Sequence, residues 1–181
     1  MTAIIDDIFE LFARFGSGQY GEDLSLERHM LQAATFAQAM DAPQPVVAAA
    51  LLHDIGYFLV PGSETSINEG RNIEHEALGA AWLSRAFGED VTVPIAMHVE
   101  AKRYLCAAEA SYFEQLSEAS RLSLMTQGGI MRADEAAAFA KQPAFEAALI
   151  LRRCDDRGKD AAMLTRPLGD FRDLLTASLR P

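Results

Sequence analysis

The sequence predicts an all-α fold, in a single domain covering residues 1–181. Three observations predict it. Apolar residues return every three or four positions in segment after segment, the period of one helix face. Glycine, proline and asparagine gather mainly between those segments. No stretch alternates apolar and polar residues for long enough to make a half-buried strand.

In chain order, Ala3 to Phe15 carries Ile4, Ile5, Ile8, Leu11, Phe12 and Phe15 at helical spacing. Gly16-Ser17-Gly18 breaks that helix, and Gln19-Tyr20-Gly21-Glu22 reads as a loop. A second helix runs from about Ser25 to Met40, with His29, Gln32, Phe36 and Met40 roughly along one side, and Asp41-Ala42-Pro43 ends it. From Gln44 or Pro45, the nearly all-apolar run Val46 to Leu52 predicts a buried central helix that reaches His53 and Asp54. Val60 to Ile73 reads as a long polar loop. Asn72 fits the N-cap of a helix that carries His75 near its start and runs through Trp82 to about Phe87.

Gly88 is expected to stop that helix, and Pro94 to open another over Ile95 to Leu105, with His98 and Lys102 on one face. Ser111 to Gln115 and Ser117 to Thr126 predict two shorter helices, closed by Gly128-Gly129. A polar helix follows from Asp134 to Lys141. Phe145 to about Lys159 is apolar first and charged later, with Arg152, Asp155 and Lys159 on one side. After Pro167-Leu168-Gly169, a last helix passes through Phe171, Leu174 and Leu175.

Composition narrows the function classes. The chain is 50% hydrophobic and 23% charged, as soluble globular proteins are. A formal net charge of -10 argues against a general nucleic-acid or membrane-surface binder, which needs basic patches. It leaves room for a small anion held by a few local cations. Cys106 and Cys154 form no spaced cluster, so neither a disulfide framework nor a zinc knuckle is expected. With no signal segment and no long apolar span, the expected location is the cytoplasm.

The chemistry gathers around His53-Asp54. Neighbours on a helix point about 100° apart, so one residue could hold a metal ion while the other bridges to a second. The alternative is a core histidine hydrogen-bonded to the adjacent acid. His29, His75, His98 and Asp155 each lie on or at the end of a predicted helix, and bundle interiors are where dinuclear carboxylate–histidine sites are built. Such ligands suit iron, manganese, zinc or nickel without choosing among them. Lys102 and Arg152 fall within one turn of His98 and Asp155, which puts anion-binding groups beside the proposed ligands.

The order His…His-Asp…Asp resembles the signature of the HD-domain superfamily, an all-α helical bundle around a metal site. Two further histidines, as His75 and His98 stand here, resemble its binuclear branch. The stretch His98-Val99-Glu100-Ala101-Lys102-Arg103-Tyr104-Leu105-Cys106 is similar to one in the PhnZ/TmpB-type mixed-valent diiron phosphonate oxygenases. So are Tyr20-Gly21-Glu22, Ser120, Ser123, Gln127-Gly128-Gly129 and Arg152-Arg153-Cys154-Asp155-Asp156, and the likeness covers nearly the whole chain.

That resemblance implies two iron ions, Fe(II)/Fe(III), held by His29, His53, Asp54, His75, His98 and Asp155, with Asp54 bridging. It implies that Lys102, Ser120, Ser123 and Arg152 bind phosphonate oxygens, and that Tyr20 occupies an iron position until substrate displaces it together with Glu22. The implied reaction is O2-dependent cleavage of the carbon–phosphorus bond of an α-hydroxyphosphonate to a carboxylic acid and phosphate. A hydroxylase that makes the α-hydroxyphosphonate would act before it.

One position departs from the pattern. Many relatives carry a histidine where this chain has Tyr57, four residues after His53 and so expected on the same helix face. A tyrosine face suits a quaternary ammonium through cation–π attraction, which favours the N-trimethyl substrate over 2-amino-1-hydroxyethylphosphonate. Two rival readings use the same residues. One is an HD phosphohydrolase acting on a small phosphate ester through metal-activated water. The other is a non-catalytic helical module, expected to have lost ligands that this chain keeps.

Overall fold

The computed structural model describes residues 3–19, 23–63, 65 and 71–180. Among them are ten α-helices: α1 (Ala3–Phe15), α2 (Leu26–Ala39), α3 (Gln44–Leu52), α4 (His75–Leu83), α5 (Glu89–Ala108), α6 (Tyr112–Gln115), α7 (Glu118–Thr126), α8 (Ala133–Phe139), α9 (Phe145–Arg157) and α10 (Arg172–Ala177). Short 3-10 segments lie at Ile55–Leu59 and Leu168–Phe171. The only pairing of extended backbone among the described residues is two isolated bridges, so the all-α expectation holds.

The apolar pattern explains the layout. α3 buries every residue from Val46 to Leu52, as a helix apolar all round must. α2, α5 and α9 all pack against it, and α9 also packs on α2 and α5. α1 lays Ile4, Ile5, Ile8 and Phe12 onto this core, and α10 adds Leu175. Two smaller apolar clusters extend from α5: Met97 and Ala101 meet Met131, Phe139 and Ala148, while Leu105 meets Tyr112, Leu116 and Leu124. No helix among the described residues is long and apolar enough to cross a membrane.

Three local expectations are corrected. Pro94 does not open a helix; it lies inside α5, which begins at Glu89 after the cap residue Gly88. Val91 and Ile95 are fully buried, and their burial outweighs the one ladder bond that a proline nitrogen cannot donate. Asn72 does not cap α4; Glu74 does, in the left-handed region at φ 52°, with its N–H donating to the Asn72 side chain at 3.1 Å. Tyr57 does not continue the helix of His53, because α3 ends at Leu52 and a 3-10 turn carries Tyr57. The expected loop over Val60 to Ile73 falls partly outside the described residues.

This arrangement delivers the site. His29 sits on α2, His53-Asp54 at the end of α3, His75 at the first position of α4, His98 midway along α5 and Asp155 on α9. Because α2, α3, α5 and α9 share one core and α4 packs on α5, all six side chains are buried.

Candidate metal centre

The four imidazoles meet in two pairs. Nε2 of His29 lies 3.1 Å from Nε2 of His53, and Nε2 of His75 lies 3.2 Å from Nε2 of His98. Asp54 stands between the pairs with one oxygen for each. Its Oδ2 is 3.5 Å from His29 and 3.4 Å from His53, and its Oδ1 is 3.2 Å from His75 and 3.7 Å from His98. Asp155 adds Oδ1 to the first pair, 3.3 Å from His29 Nε2. The donor atoms of His29, His53 and Asp155 all lie within 4.8 Å of one another, as do those of His53, Asp54 and His98.

Three of the rings are fixed through Nδ1. His53 and His98 each reach the backbone carbonyl three residues back, Ala50 at 2.9 Å and Ile95 at 2.7 Å, and His29 reaches the Gly158 carbonyl at 2.8 Å. A carbonyl only accepts, so each Nδ1 must donate. The proton is thereby assigned, and each neutral ring presents a bare Nε2 lone pair. Lone pairs facing each other at 3.1 Å repel unless a cation lies between them. This donor set therefore fits metal ions.

The electrostatics agree. Burial, the largest influence, pushes His53 down, and burial together with the neighbouring His75 and His53 pushes His98 well down, so both favour the neutral, ligating form. Burial also pushes His29 down, but its hydrogen bond to Asp155 and the charges of Asp155 and Asp54 reverse this and leave it raised. A proton on His29 thus supplies a positive charge where a metal ion would sit. Burial opposes the ionised carboxylates, yet His53 and His75 hold Asp54 well below the usual range, and Arg152 does the same for Asp155. The pair His53-Asp54 is then not a self-contained hydrogen-bonded pair, since His53 donates to Ala50 instead.

Beside the metal seat is a cavity of about 360 Å³, lined by His29, Asp54, Tyr57, His75, His98 and Asp155 on one wall and by cations and serines on the other. The Lys102 ammonium donates to Ser123 Oγ at 2.7 Å and Gln127 Oε1 at 2.6 Å. Burial, then the nearby Arg152, lowers Lys102 to about 7. Arg152 gives Nη1 to Asp155 Oδ2 at 2.7 Å and Nε to Tyr112 at 3.1 Å, while Nη2 pairs with Asp156 and also lies 3.5 Å from Ser120 Oγ. All four expected phosphonate-binding residues therefore face one space.

Tyr57 also lines the cavity, with one ring face stacked on His75 (centroids 4.1 Å apart, planes 12°). Tyr20 and Glu22 lie outside the described residues.

Sequence reasoning missed several participants. Lys159 reaches Ser120 Oγ at 2.6 Å and Ser117 Oγ at 3.3 Å, making a third cation on the serine wall. Its spacing from Arg152 and Asp155 was the available signal. Its segment is pinned to α2, where the Gln32 side chain both donates to and accepts from the Asp160 backbone, at 2.6 and 3.0 Å. Tyr112 and Asp156 hold Arg152 from behind. The four-residue spacing announces the Asp156 contact, but no sequence pattern announces the one from Tyr112 on α6.

Comparison with known proteins adds an independent line. Residues 26–156 match the HD domain family, a span that runs from α2 through most of α9. The chain is 41% identical over 163 residues to the [1-hydroxy-2-(trimethylamino)ethyl]phosphonate dioxygenase (glycine-betaine-forming) of Leisingera caerulea, covering 90% of this chain and 83% of that protein. It is 42% identical over 168 residues to the hydroxymethylphosphonate dioxygenase of Gimesia maris, covering 92% and 84% respectively.

Proposed function

The chain belongs to the HD domain family, and from that premise we propose that it is an oxygenase cleaving the carbon–phosphorus bond of an α-hydroxyphosphonate. One observation carries the reading. Two facing imidazole pairs bridged by Asp54 share a cavity with Lys102, Arg152, Ser120 and Ser123, so a metal seat and a dianion cradle sit side by side.

The stoichiometry is self-sufficient. An α-hydroxyphosphonate and O2 contain all the atoms of a carboxylic acid and phosphate, and the carbon–phosphorus unit supplies the four electrons that O2 takes up. No external reductant is required. We assign His29, His53 and Asp155 to one ion, His75 and His98 to the other, and Asp54 to both. The ions are two irons in the Fe(II)/Fe(III) state, and when bound they supply Lewis acidity for the substrate oxygens and a redox partner for O2.

The chain's own groups do the rest. Lys102 and Arg152, on the side where its Nη2 faces Ser120, hold phosphonate oxygens, helped by Ser120 and Ser123. Arg152 also keeps Asp155 ionised and aims one of its oxygens at the metal seat. All six ligands are themselves buried, at the inner end of the cavity that would hold the substrate. Tyr20 and Glu22 are proposed to guard the resting site. Gln19 and Ser25, on either side of them, form an isolated bridge, and Leu24 lines the cavity. The α-hydroxyphosphonate would come from a preceding hydroxylation.

At the far end of the substrate, Tyr57 is proposed to favour a trimethylammonium group. Tyr57 stacks on His75 and lines the cavity, where its ring would meet the cation. The assay is O2 consumption matched to phosphate release, run in parallel on the N-trimethyl substrate, its primary amine and hydroxymethylphosphonate. Equal uptake and release with the trimethyl compound preferred is the expected result. Preference for the primary amine or for hydroxymethylphosphonate sinks the Tyr57 assignment. Phosphate release from esters without O2 would instead establish the hydrolase.

A further inference from the structure

Of the four candidate ligand histidines, His75 is held differently. The rings of His53 and His98 are fixed by the carbonyl three residues back on their own helix. His75 is the first residue of α4 and follows a left-handed residue, so no helical carbonyl lies behind it. Its Nδ1 is buried and makes no hydrogen bond. One other buried side-chain atom among the described residues shares that condition, Glu76 Oε2, and the two are 3.3 Å apart.

Glu76 follows His75 in the sequence, and its side chain is only 14% exposed. Leaving a donor and an acceptor buried and unsatisfied costs free energy that a small ring rotation would recover. Such bonds commonly tighten only when a site is loaded.

We propose that Glu76 is a positioning residue: its carboxylate takes the Nδ1–H of His75 and makes the seat formed by His75, His98 and Asp54 electronically distinct from the seat formed by His29, His53 and Asp155. The inference rests on the dinuclear reading above. A carboxylate behind a ligating imidazole fixes the tautomer and raises the basicity of Nε2 more than a neutral carbonyl does. The three other rings all have carbonyl partners. Among the four imidazoles, His75 alone therefore becomes the stronger donor, which sets its seat apart. Gly56 and Tyr57 complete the support. The Gly56 backbone lies against the His75 carbonyl, and the Tyr57 ring lies flat on the imidazole.

The test does not need turnover. Metal-free wild-type, Glu76→Gln and Glu100→Gln proteins are titrated with Zn(II) against a chromophoric chelator. Glu100 is exposed on α5, so its substitution controls for the loss of one negative charge. Glu76→Gln is expected to weaken one of the two binding steps by roughly 10–100-fold, the usual cost of losing an outer partner of a ligand, and to leave the other step alone. Glu100→Gln should match wild type. In the Co(II)-loaded proteins, one of the four paramagnetically shifted ring N–H resonances should move in Glu76→Gln while three stay.

Glu76→Asp keeps the charge at a shorter reach and should fall between wild type and Gln, which preserves the test if the Gln variant folds poorly. Two wild-type binding steps in Glu76→Gln, or an equal loss at both, would overturn the assignment. An asymmetric loss in a protein that proves to hydrolyse esters would uphold Glu76 and refute the oxygenase.

Discussion

Replacing Gly56 with alanine tests how closely the metal centre depends on one backbone contact. A Cβ built at Gly56 would lie 1.9 Å from the His75 carbonyl oxygen, 2.7 Å from its carbon and 2.9 Å from its Cα. Ordinary contact begins at about 3.4 Å, so the start of α4 and the turn carrying Gly56 would have to separate by roughly 1.5 Å. The obstacle is backbone, and no side-chain rotation relieves it. Forced overpacking of this kind costs about 1–3 kcal/mol. In a chain of this length that lowers Tm by roughly 2–12 °C.

A second consequence is specific to the site. The displaced residue is His75 itself, so its Nε2 would leave the 3.2 Å contacts it makes with His98 Nε2 and Asp54 Oδ1. Thermal melts of metal-free protein read the first effect, and metal stoichiometry reads the second. Gly56→Ala should melt lower and retain about one ion per chain. A variant with unchanged Tm and two ions would refute the argument.

Further outcomes follow from the same geometry. Asp54→Asn removes the only group among the described residues with an oxygen toward each histidine pair, and metal analysis should show both steps weakened by at least ~100-fold, beyond what an outer partner costs. Full retention of both ions would contradict the bridge. Lys102→Met should raise KM for a hydroxyphosphonate by roughly 10–150-fold, the equivalent of one charge-assisted hydrogen bond, with unchanged metal content. The same variant tests a pH effect. With Lys102 lowered to about 7, the folded chain holds fewer protons than the unfolded chain between pH 7 and the ordinary lysine range. Its penalty on folding is then complete below pH 7 and relieved as pH rises through that window. Ligand-free Lys102→Met should melt above wild type at pH 6.5, by a margin that shrinks towards pH 10. A constant margin in Tm would show that charge at Lys102 is not its cause.

Much of this was legible in the sequence, for identifiable reasons. The run Val46 to Leu52 is apolar on every side and could only be a buried helix, so His53-Asp54 at its end had to face the interior. His98 and Lys102 share a face by simple periodicity, and both line the cavity. Pro94 misled because proline is read locally, whereas the burial of Val91 and Ile95 that overrides it is tertiary. Tyr57 reached the cavity by a route the four-residue rule did not supply, through a 3-10 turn and a stack on His75. Asp156, four residues after Arg152, and Lys159 were within reach of the helical period, whereas Tyr112 and Glu76 act through a contact between elements and through a helix start, which local period cannot show.

Metal analysis with EPR on protein purified with iron tests the central claim most directly. Two irons per chain and a mixed-valent signal that shifts when a hydroxyphosphonate is added are the results expected. Two bound zinc ions, no such signal and ester hydrolysis without O2 would contradict it.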